Sequence, residues 1–118
     1  MNSSEFIESI KIAVGHLTTD GLVSNLENPP GRSPDKKLVE LSDWYNSLNT
    51  SNKEKLHEII KLAVGQSIFG ILCVIDGVRQ IESSFDKGEL VLEFRKNGET
   101  IRLNDPNGEY LHDIFNSE

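Results

Sequence analysis

The sequence predicts an α+β fold: N-terminal helices around a long buried central helix, a C-terminal antiparallel β-hairpin or small sheet, and a short terminal helix. Two observations predict it. Residues 51–78 open as a charged amphipathic helix and are apolar on every side from Leu62 onward, and a helix without a polar face must be enclosed by other elements. Residues 89–103 alternate polar and apolar side chains around Asn97-Gly98, which is typical of a hairpin.

Two helices separated by a loop are predicted before the central helix. Asn2 and Glu5 have the spacing of a capping box and open the first helix, which is expected to end near Leu17, before the turn-favouring residues 18–21. One face of this helix is predicted to be buried, and it consists of Phe6, Ile7, Ile10, Ala13, Val14 and Leu17. Ile12 lies on the opposite face and should be exposed. Residues 22–34 contain three prolines and are expected to form a loop with at most one helical turn.

The second helix is expected to start at Ser33-Pro34-Asp35, because Ser33 can cap it and proline suits its first position. Its predicted buried stripe is Leu38, Leu41, Tyr45 and Leu48. Trp44 lies at the edge of that stripe and Val39 on the polar side. Ser51 followed by Glu54 is a second capping box and opens the central helix.

Two features of the central helix leave alternatives open. Gly65 and Gly70 predict either the close approach of another backbone or a kink. Asp76-Gly77 can turn a hairpin between residues 71–75 and 78–82, or Gly77 can cap the helix. We favour the cap, because Val78 and Ile81 are three residues apart and do not alternate as a strand would.

The hairpin has a predicted register. If Asn97-Gly98 is a two-residue turn, Phe94 opposes Ile101, and Leu92 opposes Leu103 on the same face. Glu93 then lies opposite Arg102 on the other face. Two strands alone are marginal, so a third strand near residues 78–82 is possible. Residues 110–115 are expected to form the terminal helix.

Length and charge restrict the class of protein. At 118 residues the chain fits one domain, residues 1–118. The net charge is −7, and no lysine or arginine follows Arg102, so nucleic acid and anionic membranes are disfavoured as partners. The uncharged run of residues 62–75 is too short to span a bilayer. A single cysteine, Cys73, and an N-terminus without secretory features predict a cytoplasmic protein.

No complete catalytic or metal-binding motif is present in the sequence. His57-Glu58 begins like a zinc-protease helix, but Lys61 stands where the second histidine ligand is needed. Residues 65–70 have the glycine spacing of a phosphate-binding loop without its lysine. We therefore expect no cofactor and no metal.

The leading hypothesis is a non-enzymatic interaction module with an acidic surface that binds a basic protein. Its interaction residues are Trp44, Asp105, Glu109, Tyr110 and Asp113. In size and acidity the chain is similar to the small immunity or antitoxin proteins with which bacteria block basic toxins, although no residue motif carries this likeness. A homodimer formed through Ile12 and Val39, or through a hairpin edge, is a second interaction mode.

The competing hypothesis is a small enzyme or ligand-binding domain with a cleft between helices and sheet. Its polar residues would converge from separate segments of the chain: Asp76, Arg79, Asn104 and His112. An enclosed pocket lined by two or more of them would favour this hypothesis.

Overall fold

A computed structural model describes residues 1–117 and confirms the α+β class. The elements in chain order are α1 (Ser3–Ile10), a π-helical segment (Lys11–His16), α2 (Leu17–Glu27), α3 (Lys36–Ser47), α4 (Thr50–Ile75), β1 (Glu93–Lys96), β2 (Glu99–Arg102) and α5 (Leu111–Asn116). The long helix, the hairpin and the short terminal helix are those that the sequence predicts. The residues group into two compact units. The first unit comprises Met1–Ile12 with the chain from Gln66 onward, and the second comprises Ala13–Gly65. The expectation of a single domain stays a prediction.

The N-terminal helical region is longer than expected. It passes Leu17 without a break and ends at Glu27, so the predicted end at residues 18–21 is wrong. Thr19 is helical and buried, and its hydroxyl donates to the Gly15 carbonyl at 3.0 Å, one turn earlier. The π-helical segment Lys11–His16 lies in the middle of this region.

The π-helical segment also changes which face is buried. A π-helix has wider turns than an α-helix, so residues after it lie on a different face from the one a 3.6-residue period predicts. Ile7 is buried and Ile12 is exposed, as predicted. Val14 and Leu17 are exposed, contrary to the prediction, and Thr19 and Leu26 are buried instead.

Two helix starts differ by one or two residues from those predicted. Asp35, not Ser33, caps α3, and its carboxylate accepts a hydrogen bond from the Leu38 amide at 3.1 Å. α4 begins at Thr50, and Asn49 accepts from the Asn52 amide at 2.8 Å, where Ser51 was expected to cap. Asp and Asn are as favourable as Ser at this position, so sequence spacing alone cannot choose among adjacent candidates.

The core of the second unit is a cluster contributed by α2, α3 and α4. Leu26, Tyr45 and Ile60 are buried in it. Partly buried apolar residues pack against these three: Val23, Leu38, Leu48, Leu56 and Val64. Leu41 is exposed and Ser42 is buried, so the inward face of α3 is rotated from the predicted stripe.

α4 is less enclosed than its apolar sequence predicts. Leu62 is 62% exposed and Ile71 is 55% exposed, whereas Ile60, Ile68 and Leu72 are buried. The prediction that the rest of the chain encloses the helix from Leu62 onward is therefore wrong. Only some of the apolar side chains of α4 are covered by neighbouring elements. The others are exposed, so an apolar sequence alone does not show that a helix is enclosed.

α4 also meets the length and hydropathy criteria for a membrane span. An 18-residue stretch of it has a mean hydropathy of 1.8, and 28% of that stretch is buried. A single helix of this kind is weak evidence for a span. The observation is compatible with a soluble protein.

The C-terminus of α4 has the predicted glycine cap. Gly77 has φ of +79° and its amide donates to the Val74 carbonyl at 3.0 Å. The Val78 amide donates to the Cys73 carbonyl at 3.0 Å, which completes a Schellman motif. This confirms the helical alternative for Asp76-Gly77. Cys73 is a buried free thiol.

The hairpin has the predicted register. Glu93 pairs with Arg102 and Phe94 with Ile101 across the strands. Asn97 and Gly98 both have positive φ, as a type I′ turn requires. The ion pairs differ from the cross-strand expectation, because Arg102 binds Glu89 and Glu93 binds Arg95. Residues 78–82 form no strand, and within residues 1–117 the sheet has two strands.

The core of the first unit joins both ends of the chain. α1 packs against α5, and the Ser3 hydroxyl donates to the Leu103 carbonyl at 2.7 Å. Ile7 and Leu111 are fully buried, and Leu103 is nearly so. This packing positions residues 103–112, which carry most of the candidate site residues, against the end of α4.

Candidate functional site

Four of the predicted interaction residues lie together in residues 105–113 of the first unit, which we call the acidic segment. Asp105, Glu109 and Asp113 are exposed, and Tyr110 is 39% exposed. Asp105 shapes the turn that begins the segment, since its carboxylate accepts from the Asn107 amide at 2.9 Å and its carbonyl from the Gly108 amide at 3.0 Å. Within residues 1–117, none of the three carboxylates forms an ion pair with lysine or arginine.

Tyr110 is held in place by a histidine. Its ring stacks on the His112 ring at 5.3 Å between centroids, and Phe69 contacts His112 edge to face at 5.7 Å. His112 Nε2 lies 3.4 Å from an Asp113 carboxylate oxygen. An aromatic side chain that is half exposed and fixed by stacking loses little conformational entropy when a partner binds.

Trp44, the fifth predicted interaction residue, belongs to the second unit. It is 54% exposed on α3, and Leu41 three residues earlier on the same helix is also exposed. Residues three apart on a helix are neighbours, so these two side chains form one apolar patch. The predicted buried stripe of α3 includes Leu41, so the sequence does not predict this patch.

Of the four residues predicted for a ligand cleft, Asp76 and His112 are in direct contact. The Asp76 side chain is only 1% exposed, and its Oδ2 accepts from the His112 amide at 2.9 Å and bonds the His112 ring Nδ1 at 2.7 Å. Asp76 Oδ1 is buried and has no hydrogen-bond partner within residues 1–117. Oδ2 therefore bonds the start of α5, while Oδ1 is unsatisfied.

Asn104 is the third of these residues, and its side chain is fully bonded. Its Oδ1 accepts from the Leu92 amide at 2.8 Å, and its Nδ2 donates to the carbonyls of Leu90 at 2.7 Å and Ile75 at 3.0 Å. These bonds attach residues 90–92 to the end of α4. Asn104 therefore builds the cleft wall rather than offering free polar atoms.

A cleft of about 350 Å³ lies beside the C-terminus of α4 in the first unit. Asp76, Arg79 and Asn104 line it, while His112 lies behind Asp76 and outside the lining. Further polar residues that line the cleft come from the loop after α4 and from its neighbours: Gln80, Glu82, Lys87, Glu89, Arg102 and Tyr110.

The charges of the cleft are not all paired. Asp76 binds His112, Glu89 binds Arg102, and Glu82 accepts from the Gly88 amide at 2.7 Å. Neither the Arg79 guanidinium nor the Lys87 ammonium has an ion pair or a hydrogen bond in the described part of the chain. The cleft thus presents two unpaired positive groups.

Gly70 on α4 makes room for the Arg79 side chain. A Cβ at position 70 would lie 2.5 Å from Arg79 Nη1, which is closer than contacting atoms can approach. The close approach predicted at Gly70 therefore exists, but it is by a side chain and not by another backbone. At Gly65 nothing lies within 4 Å, so packing does not explain that glycine.

The sequence analysis selected Asp76, Arg79 and Asn104 but missed Lys87, the second unpaired cation. Residues 79–92 have neither periodicity nor a motif, so no local signal marks Lys87 as a cleft residue. Over residues 1–117, no group of three or more His, Cys, Asp or Glu side chains is arranged to hold a metal ion.

Comparison with known proteins gives no relative. No protein-family model, curated protein or solved structure shows significant similarity to the chain. Function must therefore be argued from the residues and their geometry.

Proposed function

We propose that this chain is a cytoplasmic, non-enzymatic interaction protein whose acidic segment binds a protein partner with a basic surface. The observation that carries the proposal is the set of exposed carboxylates of Asp105, Glu109 and Asp113, none paired with lysine or arginine, around the half-exposed Tyr110. Unpaired charges of one sign steer an oppositely charged partner, and an aromatic among them supplies contact area.

A plainer interpretation of two of these acids exists. Glu109 and Asp113 lie at the N-terminus of α5, where negative charge stabilises a helix through its dipole. That role accounts for two carboxylates. It accounts neither for Asp105, which lies in the preceding turn, nor for the exposure of Tyr110. The proposal explains all four residues together.

The immunity or antitoxin class is the finer form of the proposal. Proteins of this class block a basic toxin by covering it with an acidic surface, and a chain of 118 residues with net charge −7 suits that role. The supporting features are size, charge and the acidic segment. A self-partner is the alternative form, in which a second copy contacts either the exposed Ile12 and the partly buried Val39 or an edge of the hairpin.

The test is affinity capture from the native cell with the wild-type chain and two charge-reversal variants. The double variant Glu109→Lys with Asp113→Lys should lose the partner, because it places cations where the basic surface docks. Glu27→Lys in the second unit makes the same kind of charge change at an exposed residue without an ion pair and should keep the partner.

Salt provides a second measurement on the captured partner. Screening shortens the reach of exposed charges from about 10 Å at 0.1 M salt to about 3 Å at 1 M. The affinity should therefore fall steeply as salt rises. A partner that binds all three proteins equally, with an affinity independent of salt, would show that the acidic segment is not the interface.

A further inference from the structure

We propose that the cleft beside the C-terminus of α4 binds a small soluble anion, a carboxylate or phosphate, that also carries a hydroxyl or ammonium donor. This binding site does not depend on the interaction proposed for the acidic segment. Its volume of about 350 Å³ lies in the range of small-molecule sites and is suited to a compact metabolite.

The first argument is the balance of paired and unpaired charge. Each acid in the cleft wall already has a partner, whereas Arg79 and Lys87 have none among the described residues. Arg79 and Lys87 line this cleft together with the three partnered acids Asp76, Glu82 and Glu89. An anion in the cleft would give both cations a charge-assisted hydrogen bond.

The second argument is the position of Arg79, which is an exposed residue, although the end of its side chain lies beside Gly70 of α4. Its guanidinium lies against the backbone of Gly70, in space that any larger residue at position 70 would occupy. The Arg79 amide donates to the Cys73 carbonyl at 3.1 Å, so its backbone is also tied to the end of α4. A guanidinium restricted in this way loses less entropy when it binds an anion.

The third argument concerns the kind of anion. Asp76 forms part of the cleft wall, and its Oδ1 is a buried acceptor that no donor satisfies within residues 1–117. Leaving a buried carboxylate oxygen unsatisfied is costly, and a ligand hydroxyl or ammonium that displaces the atoms covering Oδ1 would remove that cost. The cleft should therefore favour an anion that carries a donor over the same anion without one.

The experiment is a titration of the full ¹⁵N-labelled chain followed by its glycine amide signals. Gly77 and Gly88 line the cleft and serve as reporters, and Gly98 in the hairpin turn is the internal control. The probes are L-malate, succinate, which lacks the hydroxyl, glycerol 3-phosphate, and neutral dimethyl succinate, each at matched ionic strength up to about 10 mM, where even a millimolar Kd is measurable.

The expected result is a saturable shift of the Gly77 and Gly88 signals with L-malate or glycerol 3-phosphate, and none at Gly98. Whichever of these two binds more tightly identifies the anion as carboxylate or phosphate. Succinate should bind about tenfold more weakly than L-malate, the effect of one hydrogen bond to a charged group. Dimethyl succinate should not bind.

Three variants locate the binding. Arg79→Gln and Lys87→Gln should each weaken it about tenfold or more. Lys96→Gln removes the same charge from an exposed strand residue outside the cleft and should leave the affinity unchanged within twofold. Gly70→Ala retains every charge and favours the helix, yet it displaces the Arg79 guanidinium and should weaken binding, although less than Arg79→Gln does.

Four results would overturn the proposal. The first is the absence of a saturable shift at Gly77 and Gly88 with every anion. The second is equal binding of L-malate and succinate, with no binding of glycerol 3-phosphate. The third is binding that Arg79→Gln leaves intact, and the fourth is binding that Lys96→Gln weakens as much as Lys87→Gln, which would indicate nonspecific attraction.

Discussion

At the scale of single residues, Asp76 connects the end of one helix to the start of another. It is the C-cap of α4, and its buried Oδ2 receives both the backbone amide and the ring nitrogen of His112 in the first turn of α5. A carboxylate at a helix N-terminus is stabilised by the helix dipole as well as by these hydrogen bonds. The short helix α5 therefore depends on Asp76 for its position.

We predict that Asp76→Ala lowers the free energy of unfolding by about 3 kcal/mol, because it leaves the His112 amide and ring nitrogen without their buried acceptor. Asp76→Asn keeps an acceptor oxygen for both bonds and should cost about 1 kcal/mol. Urea unfolding measures both values, with Asp86→Ala in the exposed loop as the control. If all three variants match the wild type, the contact with His112 does not stabilise the fold.

Asn104 leads to a prediction that depends on the direction of its hydrogen bonds. Asn104→Asp replaces an amide that donates to the carbonyls of Ile75 and Leu90 with a carboxylate that repels both. The cost should be about 3 kcal/mol, because the oxygen that replaces Nδ2 is buried against two carbonyls and has no donor, while Oδ1 keeps the Leu92 amide. Thermal unfolding should show a midpoint lower by about 10 °C or more. As a control, Glu99→Gln exchanges a carboxylate and an amide at an exposed residue and should leave the unfolding midpoint unchanged.

At the scale of elements, the two glycines at positions 65 and 77 of the α4 region have opposite roles. Gly65 is in the helix interior with open space around it, so Gly65→Ala should stabilise the chain by up to about 1 kcal/mol. Gly77 has positive φ in the Schellman motif, and Gly77→Ala should destabilise by about 1 to 2 kcal/mol. Chemical unfolding of the two variants measures whether each substitution raises or lowers the free energy of unfolding. Equal effects would mean that Gly77 does not adopt the left-handed conformation.

α3 leads to a prediction that separates stability from binding. Tyr45 is buried in the core of the second unit, so Tyr45→Ala should lower the free energy of unfolding by about 3 to 5 kcal/mol. The adjacent Trp44 is exposed, and Trp44→Ala should cost less than about 1 kcal/mol. If the Leu41 and Trp44 patch contacts the protein partner, Trp44→Ala weakens capture of that partner while the fold remains intact. Unchanged capture would restrict the interface to the acidic segment.

Local signals predicted those elements in which the chemistry of a few adjacent residues determines the backbone. Asn97-Gly98 fixed the turn and register of the hairpin, and Gly77 marked the end of α4. The extent of the first helix was not predictable in this way. Thr18, Thr19 and Asp20 have competing hydrogen bonds available, and tertiary packing of Thr19 and Leu26 decides in favour of the helix. A π-helical segment has no sequence signature that a 3.6-residue period would detect.

At the scale of the whole molecule, the candidate site shows what sequence separation hides. Asp76, Arg79 and Asn104 were selected as polar residues at turns and element ends, and they line one cleft because Asn104 bonds to the carbonyl at the end of α4. Lys87 lies in a loop that is held by a local bond between Glu82 and the Gly88 amide and, at its end, by the bond from Asn104 to the Leu90 carbonyl. Cleft residues such as Lys87 can therefore be identified only from the structure.

The net charge then determines which anions can approach. A net charge of −7 repels long polyanions, whose binding needs many cations along an extended surface. A small anion with one or two charges depends on the local charges of the cleft, where the acids have partners and Arg79 and Lys87 have none among the described residues. The same chain can therefore bind a small anion in its cleft and still repel nucleic acid through its net charge.

We predict that the chain does not bind a labelled DNA duplex of about 20 base pairs at physiological salt, with a Kd weaker than about 1 mM. Fluorescence anisotropy measures this directly. The double variant Glu109→Lys with Asp113→Lys changes the net charge from −7 to −3 and should still not bind, because the molecule remains an anion without a basic stripe. Tight duplex binding by the wild type would show that local cations outweigh the total charge, and the same result would contradict electrostatic steering of a basic partner.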